Sequence, residues 1–213
     1  YRNINIGLVN ELAILCDRMN ISLWEVVDAA KTKPYGFQAF YPGPGLGGHC
    51  IPLDPYYLTW KAREYGFHTS MIEASMMIND KMPEYCVDRA GKVLNRVKKA
   101  LNGSKVLVLG VAYKADIDDY RERPAIDVIE ILHREGASVD FFDPYIPKFR
   151  AHGKEYVGIA DISPEVIASY DLVFVAAAHT KVDYEMIEKN AQAIFDSKNA
   201  MKDVKKREKI EVL

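Results

Sequence analysis

No stretch of this sequence is long and apolar enough to span a bilayer. The longest apolar runs, "VLVLGVA" and "LVFVAAA", fall far short of the roughly 20 residues a membrane helix needs. An excess of one charge is also lacking: 28 Lys and Arg stand against 30 Asp and Glu, a net charge of -2. No bulk field therefore draws the chain to nucleic acid or to an anionic membrane. Cysteine is scarce, and Cys16, Cys50 and Cys86 are odd in number and irregularly spaced. They suggest neither a disulfide framework nor a metal motif, so no metal is expected and reduced, cytoplasmic thiols are. The opening "YRNINIGLVNELA" is amphipathic and lacks the basic start and apolar block of a signal peptide. The G-x-G-x-x-G fingerprint of a dinucleotide-binding turn is also missing from the first strand–helix turn of the β-rich half, where such a turn would need it. What is present is an ordinary globular composition, 49% hydrophobic and 27% charged over 213 residues, enough for one large or two small domains.

The first half reads as helix. "NINIGLVNELAILCDRMN" places Ile6, Val9, Leu12, Ala13 and Cys16 on one apolar face, with Gly7 permitting close packing. Ser22 and Glu25 form a capping box before "LWEVVDAAK". Periodicity vanishes from Lys33 to Leu53. It resumes in "DPYYLTWKAREYG", with Pro55 suited to a first turn and Gly66 to an end. A long helical pattern then runs from Ser70 to Gly103, striped by Met71, Ile72, Met76, Met77, Ile78, Met82, Val87, Val93, Leu94 and Val97. Pro83 inside it predicts a kink or a break. The methionines read as core or subunit interface, and Cys16 and Cys86 as packed thiols.

The second half alternates strand and helix: "KVLVLG", "PAIDVIEILHREG", "SVDFFDP", "PEVIASY", "DLVFVAAA", "DYEMIEKNA" and "AIFDS". Such alternation predicts right-handed crossovers and a Rossmann-like parallel sheet with helices on both faces. The fold class is α/β: a helical domain over residues 1–102, then a sheet domain over 103–213, with the boundary near "LNGS". Sheets of this kind bind ligands at the carboxyl ends of their strands. Here the first turn reads "GVAYKAD", and the basic residues of "YKADIDDYRERP" either hold phosphate or form a solvated loop. Asp143 either binds a ribose or caps the turn of "DPY".

"GPGLGGHCIPLDP", residues 43–55, is the most unusual stretch. Glycines at 43, 45, 47 and 48 permit positive φ and close backbone approach, while prolines stiffen the rest. Either this is a turn that happens to hold Cys50, or the turn exists to present the thiol, its backbone amides lowering the thiol pKa and holding an anion or oxyanion. Asp54, four residues on, either orients water or caps the next helix.

"FYPGPGLGGHCIPLDPYYLTWKA" resembles the catalytic-cysteine segment of the UDP-glucose/GDP-mannose dehydrogenase family, nearest to the UDP-N-acetylhexosamine 6-dehydrogenases. "YRNINIGLVNELA" is similar to that family's first central helix. "LGVAYKADIDDYRERPAIDVIEIL" and "DYEMIEKNAQAIFDSKNA" are similar to its UDP-binding domain. The resemblance implies oxidation of a sugar C6 alcohol to the carboxylate, with two NAD and two hydride transfers through a cysteine thiohemiacetal and thioester. It implies Cys50 as nucleophile and Asp54 as the residue helping to activate water. Phe40, Tyr41, Gly43, Gly47 and Gly48 fall in the segment that wraps the nucleotide sugar. Lys114 matches a residue near the substrate phosphates, and Arg121 one near the cofactor. The family's central helices form a homodimer.

The departures are as informative. The family's NAD-binding domain, and a K-x-x-E-N pattern ahead of the first central helix, have no counterpart in these residues. The chain is therefore expected to be the C-terminal portion of such an enzyme, inactive alone, with NAD held mainly by the missing domain. The alternative is a non-catalytic module that binds a UDP-sugar and dimerises. Arg123 stands where the family usually has Ser, Lys198 where it usually has Arg, and the tail "KDVKKREKIEVL" is atypical.

Overall fold

A computed structural model describes residues 1–120 and 124–213 of the chain. Four helices come first: α1 (Arg2–Met19), α2 (Leu23–Ala30), α3 (Asp54–Arg63) and α4 (Ser70–Arg96). Local signals set their ends. The Ser22 side chain accepts the N–H of Glu25 at the start of α2. After α3, Gly66 takes φ 66° and donates to Arg63 O, while Phe67 N–H reaches back to Ala62 O. This bond pair closes a helix on a left-handed glycine.

Two details of this half differ from expectation. Of the kink or break anticipated at Pro83, the break does not occur: α4 runs as one helix from Ser70 to Arg96. Of the anticipated apolar stripe of α1 only Ala13 is fully buried, with Val9, Leu12 and Cys16 packed half-buried beside it, while the other residues α1 buries are Asn3, Gly7 and Asn10. Met71, Met77 and Val97 are exposed, whereas Cys86 is fully buried as expected.

The second half contains β1 (Lys105–Leu109), α5 (Pro124–Arg134), β2 (Ser138–Phe142), β3 (Lys148–Ala151), β4 (Lys154–Val157), α6 (Pro164–Ala168), β5 (Leu172–Val175), α7 (Tyr184–Asn190), β6 (Ile194–Asp196) and β7 (Ile210–Val212). Five strands form one parallel sheet in the order β2-β1-β5-β6-β7, and β3 and β4 pair as an antiparallel hairpin. The hairpin and β7 are additions to the strands anticipated. Alternation along β1 sorts the core by face. Val106 and Val108 pack with α5 and the C-terminal half of α4, including Met82, Cys86, Val87, Ala90 and Leu94. Leu107 and Leu109 pack with Ile167 of α6, Ile187 of α7, Met201 and Val204. The sheet is thus covered on both faces, as a parallel sheet requires.

α4 belongs to both halves. Its N-terminal part packs on α1 and its C-terminal part on the sheet. An ion-pair chain reinforces the join: buried Arg89 bridges Asp17 of α1 and Glu211 of β7, and Arg96 also meets Glu211. Trp24 Nε1 of α2 donates to the Leu213 carbonyl at 2.7 Å.

Candidate active site

Residues 31–53 contain no helix or strand, as the lost periodicity predicted. Their glycines are set by what lies against them. At Gly48 φ is 93°, and a Cβ there would sit 3.2 Å from the Tyr113 ring. A Cβ on Gly45 would meet Pro124, and one on Gly43 would meet the Lys198 ammonium. The loop therefore packs with its backbone on residues that follow the carboxyl ends of β1 and β6. A larger residue at 45 or 48, where φ is 132° and 93°, would strain the loop, whereas one at 43 meets only the flexible end of Lys198.

Cys50 ends this segment with its side chain exposed. Its carbonyl accepts from Leu53 N at 3.2 Å and Asp54 N at 2.9 Å, which forms the turn leading into α3. Asp54 is the first residue of α3 and Leu53 occupies the cap position, which has no side-chain cap bond. The reading of Asp54 as the cap residue is thereby corrected. Cys50 and Asp54 together line a cavity of about 280 Å³ with Tyr1, Asn3, Ile51 and Leu58. A thiol and a carboxylate on one wall can serve as nucleophile and as an acceptor of a water proton.

The remaining anticipated residues fall into two groups. Phe40 is half-buried with its ring edge-on to Tyr1, 6.0 Å between centroids. Tyr41 stacks on Trp24 at 5.3 Å, and its hydroxyl meets Asp28 at 2.9 Å and Lys31 at 3.1 Å. Its polar end is thus committed to α2. Gly43 and Gly48 are buried and Gly47 half-buried. Lys114 is exposed on the loop after β1, beside the Tyr113 that Gly48 packs against, and it does not line the cavity that holds Cys50. Arg121, and Arg123 with it, lies outside the described residues. Lys198 is half-buried, and burial pulls its ammonium below the usual lysine value. Among the described residues, no group of three or more His, Cys, Asp or Glu is placed to hold a metal ion.

Beneath these loops lies a polar cluster that the sequence only half disclosed. Asp143 caps its own turn through the amides of Tyr145 at 2.8 Å and Ile146 at 3.1 Å. Its other oxygen accepts Val111 N–H at 2.7 Å and Ala112 N–H at 3.1 Å and pairs with His179 Nε2 at 3.0 Å. Burial opposes ionisation of Asp143, yet His179 and the backbone donors overcome it and hold the carboxyl below its ordinary value. His179 Nδ1 accepts Asp116 N–H at 3.0 Å, so its proton sits on Nε2, toward Asp143. Asp116 itself has φ 61° and takes Thr180 N–H at 2.9 Å. His179 had no sequence signal of its own, because its partners lie 36 and 63 positions away.

Comparison with known proteins assigns both halves. The family model described as the UDP-glucose/GDP-mannose dehydrogenase central domain matches residues 1–81, and that family's UDP-binding domain matches 107–203. The chain is 38% identical over 180 residues to a UDP-N-acetyl-D-glucosamine 6-dehydrogenase of Pseudomonas aeruginosa, covering 84% of this chain and 42% of that one. It is 33% identical over 210 residues to a UDP-N-acetyl-D-mannosamine dehydrogenase of Methanococcus maripaludis, covering 94% and 46%. Among solved structures, a UDP-D-ManNAc dehydrogenase from Pyrococcus horikoshii superposes with a TM-score of 0.84 at 29% identity, covering 99% of this chain and 48% of that one. The chain thus spans less than half the length of these relatives.

Proposed function

The chain belongs to the UDP-glucose/GDP-mannose dehydrogenase family, and from that premise we propose that it is the thiol- and UDP-binding portion of a UDP-sugar 6-dehydrogenase, with a UDP-N-acetylhexosamine as its sugar. The observation that carries the reading is that Cys50 and Asp54 share one cavity, at the end of a glycine loop seated on the sheet's ligand-binding edge. In this reading Lys114 and the 40–48 loop hold the diphosphate and sugar. The Cys50 sulfur adds to the C6 aldehyde, the new S–C bond forms, and the carbonyl oxygen takes a proton to give a thiohemiacetal. Only after that adduct has lost its C6 hydride to an NAD held outside these residues, and its hydroxyl proton, is it a thioester; at that stage Asp54 would accept a proton from the attacking water and Cys50 would leave as the thiolate.

The NAD of the family's chemistry finds no dinucleotide cradle in the described residues. The strand-end amides of Val111 and Ala112, which would face a pyrophosphate, are taken by Asp143. The two oxidations are therefore not a property of these residues, and the isolated chain is expected to make no NADH. The exposed apolar side chains of α1 and α3, such as Leu15, Met19, Tyr57 and Trp60, support a homodimer through the helices. Three free thiols, one of them exposed, support a reducing, cytoplasmic setting.

Calorimetric titration tests the reading. The chain should bind UDP-N-acetylglucosamine in preference to UDP-glucose and UMP, and produce no NADH from UDP-sugar and NAD. Absence of binding by every UDP compound defeats it, and efficient NADH production defeats the division of labour. A second reading, a UDP-sugar-binding and dimerising module without chemistry, is favoured by the same closed cradle. Mass spectrometry with the C6-aldehyde form of the UDP-sugar separates the two: a nucleophile is masked from iodoacetamide by the aldehyde far better than by the alcohol, whereas a mere binding loop is masked equally by both.

A further inference from the structure

Asn3, Gly7 and Asn10 recur at helical spacing along α1 and face Ser75 and Asn79 of α4. Gly7 lets the helices approach, since a Cβ there would lie 2.8 Å from Ser75 Cβ. The four polar side chains are buried, Asn10 completely. They are joined in series. Gly43 N–H donates to Asn10 Oδ1 at 3.1 Å, Asn10 Nδ2 to Asn79 Oδ1 at 2.9 Å, and Asn79 Nδ2 to the Asn3 carbonyl at 3.2 Å. Ser75 Oγ donates to Asn3 Oδ1, and Asn3 Nδ2 donates to the Ile51 carbonyl at 3.3 Å.

The series begins and ends on the thiol loop. Its direction is set, because the Gly43 amide can only donate and the Asn3 carbonyl can only accept. Each of Asn10 and Asn79 therefore has one orientation in which every bond is made. Pro83 leaves a helix carbonyl facing the loop. It has no N–H, so the Asn79 carbonyl four residues back lacks its helical donor. That carbonyl lies against Gly45, 3.6 Å from where a Cβ would stand.

We infer that this chain of buried amides is the positioning element of the thiol loop: Asn10 and Asn3 hold its two ends, Gly43 and Ile51, and so place Cys50 at the cavity. The inference rests on the reading of Cys50 as nucleophile, but the anchoring can be measured without ligand. Apolar packing between α1 and α4 would stabilise the helices without specifying where the loop sits; directional bonds do both.

The test is hydrogen exchange, read by mass spectrometry on the full chain, in Asn10→Leu, Asn10→Asp and Asn3→Ala. Asn10→Leu removes both side-chain bonds, whereas Asn10→Asp keeps the acceptor for Gly43. Asn3→Ala, in the first turn of α1, releases only the Ile51 end and the Ser75 bond. Exchange over 40–53 should rise roughly tenfold in Asn10→Leu and Asn3→Ala, the scale of one unmade buried bond. Asn10→Asp keeps the Gly43 acceptor but turns a second, buried carboxyl oxygen toward Asn79 Oδ1, so exchange in that segment should rise in it as well. Rates in α1 beyond its first turn and in α4 should not change in Asn3→Ala, and in Asn10→Leu, which also loses the bond to Asn79, they should rise less than those of the loop. In parallel, Asn3→Ala should weaken UDP-N-acetylglucosamine roughly tenfold and leave UMP unaffected. A merely structural role raises exchange in step over α1, α4 and the loop, or weakens both nucleotides equally, and either result overturns the inference. So does an unchanged 40–53 segment. If the wild type binds no UDP compound, the proposed function fails, while the exchange measurement still decides the positioning role.

Discussion

Glu211→Gln tests whether the C-terminal strand is fastened to the helices by charge. Arg89, with a side chain only 6% exposed, meets Asp17 Oδ1 at 2.6 Å and Glu211 Oε1 on its other side. Breaking a buried pair by deleting one partner costs about 3–5 kcal/mol, because the other charge stays buried. Two features reduce that here. Asp17 remains on Arg89, and Glu211 keeps 22% of its side-chain surface. The expected cost is therefore about 2 kcal/mol, a fall in Tm of about 4–8 °C for a chain of this size. Arg96 is 64% exposed, so Arg96→Ala should cost less than about 1 kcal/mol although its bond to Glu211 is 2.6 Å long. The pH dependence has a definite sign. Burial alone would raise the Glu211 carboxyl, but Arg96 and Arg89 outweigh it and hold it below the usual glutamate value. Its contribution is then complete above the unfolded value of about 4.3 and is lost as pH falls below it. Urea titrations at pH 7 and below pH 4 should show a gap between wild type and variant that narrows in acid. The m-value should not change, since α4 packs on both α1 and the sheet domain and the halves are therefore expected to unfold together. A loss under about 0.5 kcal/mol, or an Arg96→Ala loss as large as that of Glu211→Gln, would refute the account.

Three further outcomes follow from single environments. Iodoacetamide should label Cys50 first and Cys16 more slowly, while Cys86, fully buried and pushed up to about 12, should react only on unfolding; peptide mapping over time reads the order. Gly110→Ala should cost about 3 kcal/mol or more in urea titration, because φ is 81° and the added Cβ would lie 2.9 Å from the Ala177 carbonyl oxygen. Gly36→Ala, at φ 78° with nothing within 4 Å, should cost about 1 kcal/mol. Lys114→Ala, at an exposed position, should leave the melting temperature unchanged and weaken UDP binding roughly tenfold by calorimetry.

The features legible in the sequence were those decided within a few residues. Ser22 caps α2 by reaching three residues ahead, and Gly66 closes α3 through neighbouring carbonyls. The hydrophobic runs of β1 and β5 report burial on both faces directly. The thiol loop stood out because its glycines and prolines exclude regular structure. What stayed hidden depends on distant partners. β7 is three half-buried residues that become a strand because β6 offers an edge and Arg89 a charge. On α1 the apolar stripe drew the eye to Ile6, Val9 and Leu12, while the buried contact is made by small and amide residues that a hydrophobicity count passes over. Pro83 stays within a continuous α4 because that helix is held by packing at both ends, which outweighs the loss of one bond.

The cluster at the strand ends argues that the proposed ligand site lies above the sheet edge rather than in its first turn. In a dinucleotide fold the turn after the first strand presents open amides and glycines to a pyrophosphate. Here the only glycine of that turn, Gly110, is pressed against Ala177, and the next two amides are spent on Asp143. Because Asp143 is held ionised by those amides and by His179, the crevice already contains an anion, and a second one entering it would meet repulsion in a poorly solvated place. Any phosphate bound by this half has to approach from the side where the cations stand, Lys114 on the loop after β1 and Lys198 after β6. Gly43 and Gly48 bring the thiol loop to that same side. If the proposed function holds, filling the switch point with the protein's own carboxylate would direct a nucleotide sugar toward the loop that carries Cys50.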